Sequence, residues 1–188
     1  ERHMTRHTNS IHMAAGRVFT LFLIFCATSQ MLYGNEKSPT KAVSASYGYT
    51  ALAVGIGTPV ALPWGRNWDV FGLEFNLVYG ECQLLRGVQV GGIANVANRE
   101  MRGVQAAFLF DYTPVDAWGW QFSLGGNVAK RVFGLQSAFG INFAEELHGA
   151  QIGIVNYTKA CPGGFQIGLA NFIMDNQIPL IPIFNCYF

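Results

Sequence analysis

The sequence predicts an all-β protein built from short repeated strands, and three observations carry this prediction. A Gly-x-Gln tripeptide recurs at steps of 16, 16, 15, 15 and 15 residues. Apolar and polar residues alternate with period two inside the copies, as in a strand with one apolar face. Glycine is frequent, at 22 residues, whereas charged residues make up only 12% of the chain. A fixed period of this length indicates a repeat architecture.

The repeat is defined by a glycine and, two residues later, a glutamine. The pairs are Gly87 and Gln89, Gly103 and Gln105, Gly119 and Gln121, Gly134 and Gln136, Gly149 and Gln151, and Gly164 and Gln166. A weaker copy begins at Gly72, and an Asn or Asp follows each Gln by five or six residues. We predict a structural role for the glutamines, in which each side-chain amide bonds to a neighbouring Gln or Asn or to backbone.

Each repeat is expected to contain one strand and one turn. In the copy at Gly134, Leu135 and Phe139 lie on one face of the strand, while Gln136 and Ala138 lie on the other. We predict that the Gly starts a strand of about nine or ten residues. Most of the charge falls in short polar segments, which we predict to be the turns: residues 98–100, 129–131, 145–146 and 175–176.

Two architectures fit this period. The preferred one is an antiparallel transmembrane β-barrel of about eight to ten short strands, whose apolar face meets lipid. The last strand supports it, because Phe184 and the terminal Phe188 share one face, as in a C-terminal assembly signal of outer-membrane proteins. The alternative is a β-solenoid with 15-residue coils, in which the glutamines stack into a ladder. The constant phase of Gln favours the alternative, since an up-and-down barrel reverses direction at each strand.

Composition divides the chain into three parts. Residues 1–34 are predicted to be a leader and signal peptide, because Arg17 precedes an apolar run at 18–27 that is too short to span a bilayer. Residues 35–42 are polar and are predicted to be a tether. Residues 43–188 are predicted to form a single β-repeat domain.

The sequence offers little for catalysis, and we expect no enzyme activity and no cofactor. Three of the four histidines lie in the leader, and the cysteines lack metal-ligand spacing, so no metal site is expected. The cluster Glu145, Glu146 and His148 is more typical of a solvated turn than of a general base. A net charge of +1 gives no reason to expect nucleic-acid binding.

The repeat units, of the type Gly-Leu-Gln-Ile-Gly, and the ending at 178–188 resemble a family of bacterial surface-repeat proteins of uncharacterised function. The resemblance covers about residues 70–188, with the best copies at 149–156 and 164–171. It implies export by a signal peptide to the outer membrane or surface of a diderm bacterium. The partners would then be outer-membrane lipid and the barrel-assembly machinery.

The predicted function is therefore that of an outer-membrane or surface structural protein, in the form of a small barrel or narrow pore. The alternative is a secreted β-solenoid that acts as an adhesion or protein-interaction surface.

Overall fold

The computed structural model describes residues 48–64 and 68–187. These residues form ten strands of one sheet: β1 Gly48–Gly57, β2 Val60–Leu62, β3 Trp68–Gly91, β4 Ala94–Ala107, β5 Phe110–Ser123, β6 Gly126–Ala138, β7 Ile141–Ile152, β8 Val155–Ala160, β9 Phe165–Ile173 and β10 Leu180–Cys186. No helix long and apolar enough to cross a membrane is found in this part of the chain. The predicted leader, the predicted tether and Phe188 lie outside the described residues.

Neighbouring coils pair in parallel, and this decides the architecture. β3 to β7 pair in sequence order, and β9 pairs with both β7 and β8. Gly103 lies opposite Gly119 and Gln105 lies opposite Gln121, so the repeats stay in register. Within residues 48–64 and 68–187, antiparallel pairs occur only at the two ends, where β2 joins β1 and β10 joins β9.

The protein is therefore a β-solenoid of about six turns, which confirms the all-β prediction and the alternative architecture. The predicted antiparallel barrel is wrong. Each repeat completes one full coil and returns to its starting direction, so successive copies run parallel rather than forming hairpins. The sheet runs openly from β10 at one end to β2 at the other.

Each coil wraps around a narrow interior that holds both apolar and polar side chains. In β4 the buried inward residues are Asn95, Ala97, Met101, Gln105 and Ala107. The apolar part of the interior is built mainly from small or medium side chains, such as Ala117, Ala129 and Val132. The remaining space is filled by amides, which must find hydrogen-bond partners within the solenoid.

The repeat glycine lies inside a strand at positive φ, whereas the sequence predicts that it starts a strand. Gly103, Gly119 and Gly134 lie inside β4, β5 and β6, with φ of 137°, 124° and 146°. Only glycine adopts such angles without strain. A Cβ on Gly119 would also lie 2.1 Å from the carbonyl oxygen of Gly103. The position therefore needs glycine both for its conformation and for the close stacking of coils.

Three of the four predicted turns are parts of strands. Residues 98–100, 129–131 and 145–146 lie within β4, β6 and β7, and only 175–176 is a turn. The turns between coils are instead short pairs such as Phe108-Leu109 and Leu124-Gly125. The prediction is wrong because water reaches an outward side chain on a solenoid strand just as readily as it reaches a side chain in a turn. Charge therefore does not mark the turns here.

Candidate functional site

A column of glutamines runs through the interior. All six repeat glutamines are buried. Each Nε2 from Gln105 onward donates to the Oε1 of the Gln one coil earlier, at 2.8, 2.9, 2.9, 2.7 and 2.7 Å in chain order. Amide ladders of this kind satisfy buried polar groups along a stack of parallel strands.

Glu74 closes the N-terminal end of this column. Gln89 Nε2 donates to Glu74 Oε2 at 3.0 Å, and Asn76 Nδ2 donates to Glu74 Oε1 at 2.7 Å. Burial raises the pKa of the Glu74 carboxyl, while hydrogen bonds from Asn76, Gln89 and Cys82 oppose the rise. An acceptor suits this place, because every amide of the column points its donor toward the N-terminal end.

A second column, of asparagines, points its donors the opposite way. Asn127, Asn142 and Asn156 each donate through Nδ2 to the Oδ1 of the Asn one coil later, at 2.9, 2.8 and 2.8 Å. The same nitrogen also donates across its own coil, as from Asn142 to the Ile152 carbonyl at 2.8 Å. Each Asn thereby links two neighbouring coils and also joins the beginning of its own coil to the end of that coil.

One outer side of the solenoid, here named the apolar face, consists of the first, third and fifth residues after each Gly of the seven copies from Gly72 to Gly164. None of these residues is charged, and Ser137 is the one polar side chain among them. None of them is buried. Phe108, Phe139 and Leu169 are 60%, 73% and 72% exposed. Large apolar side chains are therefore exposed along the whole side.

The apolar face continues onto the strands at both ends. Leu52 and Val54 of β1 lie in register with Leu73 and Phe75, and the Phe184 ring lies 5.9 Å from the Phe165 ring. With strands about 4.8 Å apart and about 3.3 Å per residue, the face measures roughly 43 Å by 13 Å. Its footprint of roughly 550 Å² lies near the upper end for the largest apolar patch of a soluble monomer, and such patches are often functional.

The outward residues that precede each repeat Gly form a contrasting charged face. Arg131 makes a bidentate pair with Asp116 of the preceding coil at 2.6 and 2.7 Å, and Lys159 pairs with Glu145 at 2.9 Å. These pairs are exposed, so each contributes little to stability. Their main effect is to keep this face hydrated, in contrast to the apolar face.

An outer stack of rings runs along the charged face next to the Gly column. The Trp118 and Phe133 ring centroids are 3.9 Å apart, and the Phe133 and His148 centroids are 4.6 Å apart. His148 Nε2 lies 2.8 Å from Glu146 Oε1, and the Arg102 guanidinium lies 5.9 Å from the Trp118 ring centroid. The cluster Glu145, Glu146 and His148 lies on a strand, not in the predicted turn.

The structure places the predicted site residues in three different environments. The repeat glycines stack in register from coil to coil and the glutamines form the interior column, while Phe184 is exposed on β10. Sequence reasoning counted Asp111 among the Asn and Asp residues that follow the glutamines, but gave no separate role to its acidic side chain, which replaces the Asn found at this position in other copies. Nor did it separate the apolar face from the charged face. Among the described residues, no group of three or more His, Cys, Asp or Glu side chains could hold a metal ion.

The fold and these surfaces define the chain as a β-solenoid repeat protein with internal amide ladders, one apolar face and one charged face. No family model matches the chain. No curated protein and no solved structure matches it either.

Proposed function

We propose that the protein is a non-catalytic, surface-associated β-solenoid that rests on a lipid bilayer through its apolar face and presents its charged face to the surroundings. The observation that carries this proposal is the absence of charge from the apolar face over the whole described solenoid. Location at a bacterial surface, as the resemblance implies, agrees with this arrangement. The protein would then act as a structural or adhesive element.

Hydrocarbon matches the chemistry of the apolar face better than a protein partner does. Protein interfaces carry about one hydrogen bond per 100–200 Å², which requires outward donors and acceptors. Apart from the Ser137 hydroxyl and the indole N–H of Trp120, the side chains of the face offer none. Backbone groups of the inner strands are paired between coils, as in β4 with β5 and β5 with β6. The face can therefore meet acyl chains without leaving these backbone groups unpaired, a condition that the bilayer core imposes.

Flotation with vesicles of uncharged phosphatidylcholine tests the proposal on the full chain. We expect the protein to float with the vesicles, because no charged lipid is needed for a purely apolar contact. In the variant F108E/F139E/L169E, at least tenfold less protein should float, since three carboxylates would have to leave water. These positions are 60–73% exposed, so the fold should tolerate the change.

The matched control is R99S/K130S/K159S, which makes the same net-charge change of minus three on the charged face. It should float as well as the unaltered protein. Analytical ultracentrifugation without lipid identifies the competing occupant. If the unaltered protein is a dimer, the three glutamates dissociate it and vesicles do not bind, the face serves a second copy and the lipid proposal is wrong.

A further inference from the structure

The asparagine column contains one acidic residue, Asp111. This residue lies in register with Asn95 on one side and with Asn127 on the other. Asn95 Nδ2 donates to Asp111 Oδ1 at 2.9 Å. Asp111 Oδ2 and Asn127 Oδ1 are both buried, and neither has a hydrogen-bond partner. The column is thus interrupted at one link, where two oxygens of neighbouring coils lack a hydrogen between them.

The neighbouring links show what this position requires. From Asn127 onward, an N–H joins each residue to the next Oδ1 at 2.8–2.9 Å. The Nδ2 of each asparagine also donates to a backbone carbonyl of its own coil. This carbonyl is that of Ala106 for Asn95 and that of Ser137 for Asn127. Phe122 lies in register with both of these residues. An ionised Asp111 would therefore present an acceptor where the other copies present a donor.

We propose that the Asp111 carboxyl is protonated in the folded protein and that its O–H donates a hydrogen bond to Asn127 Oδ1. This one proton completes the asparagine column, and its loss in alkaline solution weakens the solenoid. The bond is O–H···O, and it replaces the N–H···O of the other links. The proposal makes Asp111 a pH-sensitive element of the fold, independent of what the apolar face binds.

The surroundings of Asp111 favour the neutral form. Burial raises the pKa of its carboxyl to about 8, and the hydrogen bonds from Asn95 and from the backbone of Phe122 and Ala107 offset this only in part. The described inward side chains of β4, β5 and β6 that pack around it are otherwise uncharged: Asn95, Gln105, Thr113, Gln121, Asn127 and Gln136 among the polar ones.

The charged side chains of the same strands lie on the outer charged face: Arg99, Glu100, Arg102, Asp116, Lys130 and Arg131. The other buried carboxyl groups of the described chain, Asp69 and Glu74, belong to β3, which pairs with β4 and not with β5. Among the residues that the structure describes, no cationic side chain is therefore placed to hold an Asp111 carboxylate inside the solenoid.

The direction of the pH effect follows from the two protonation states. An unfolded Asp has a pKa of about 3.9, whereas the folded pKa is about 8. Between these values the folded protein holds one proton more than the unfolded chain. The stability that protonated Asp111 contributes is therefore fully present below about pH 4 and declines as pH rises toward about 8. Over this range the unfolding equilibrium constant rises by up to about tenfold per pH unit.

Carbon-13 NMR of labelled aspartate carboxyl groups in the full chain tests the protonation state directly. The Asp111 signal is assigned by its absence from D111N, and we expect it to titrate above pH 7. A signal that titrates near pH 4 would overturn the proposal. This readout uses the unaltered protein and so decides the matter even if a variant folds poorly.

Urea unfolding between pH 5 and pH 9 supplies the second readout. In D111N the new N–H can join Asn127 Oδ1 at every pH, so its unfolding constant relative to the unaltered protein should fall about tenfold per pH unit up to about pH 8. Burial also raises the pKa of Glu74, but that contribution is common to both proteins and cancels. The control is D116N, which changes an Asp on the outer face of the same strand. Its unfolding constant should depend on pH with the same slope as that of the unaltered protein. Parallel curves for D111N and the unaltered protein would refute the proposal.

Discussion

Replacing Gly119 by alanine should destabilise the solenoid by at least about 3 kcal/mol, more than any surface substitution. Gly119 has a φ of 124°, which alanine adopts only with strain. The added Cβ would lie 2.1 Å from the Gly103 carbonyl oxygen, so the two coils would have to separate. Urea unfolding followed by circular dichroism measures the loss.

Gly163→Ala is the matched control, because a Cβ at Gly163 meets nothing within 4 Å. Its stability should stay within about 0.5 kcal/mol of the unaltered protein, as for ordinary surface changes. Equal stabilities of the Gly119→Ala and Gly163→Ala variants would contradict the close stacking of coils at Gly119.

Replacing Gln121 by leucine should cost about 3 kcal/mol. Gln121 accepts from Gln136 Nε2 at 2.9 Å and donates to Gln105 Oε1 at 2.9 Å and to Thr113 Oγ1 at 3.2 Å. Leucine keeps much of the side-chain volume but lacks both the Nε2 donor and the Oε1 acceptor of Gln121. Each buried donor or acceptor left unpaired costs about 1–3 kcal/mol.

The control for this variant is Gln177→Leu, the same substitution at an exposed residue of a turn. Thermal unfolding of the two variants under identical conditions separates the loss of the ladder from the change of residue type. If Gln121→Leu melts at the same temperature as Gln177→Leu, the interior ladder contributes no stability.

The all-β class was predictable because period-two alternation and recurrent glycine leave no other regular structure. The choice between barrel and solenoid was not, because both accept strands of the same length and the same alternation. Only the unchanging position of Gln in every copy distinguishes them, since a residue that stays on one side after each repeat requires full coils. That single clue was weaker than the apolar face and the terminal aromatic residue, which suit a barrel.

Which face lies inside was also hard to predict. Ordinary reasoning places apolar side chains in the core and polar ones in water. Here Gln136 and Asn142 are buried, whereas Phe139 is 73% exposed. Stacked amides reverse the expectation, because each Gln or Asn finds its partner on the next coil and needs no water. Pairing of this kind depends on the parallel register, which local composition does not reveal.

The opposed directions of the two amide columns have a consequence for the length of the molecule. Aligned amides add their dipoles, as peptide groups do along an α-helix. A solenoid with a single column would gain axial dipole moment with every repeat, because the opposite partial charges at its two ends would move farther apart. In this protein, the Gln of each coil points its donor toward one end, and the Asn points its donor toward the other. Copies can therefore be duplicated or deleted during evolution with little change in the axial dipole of the whole.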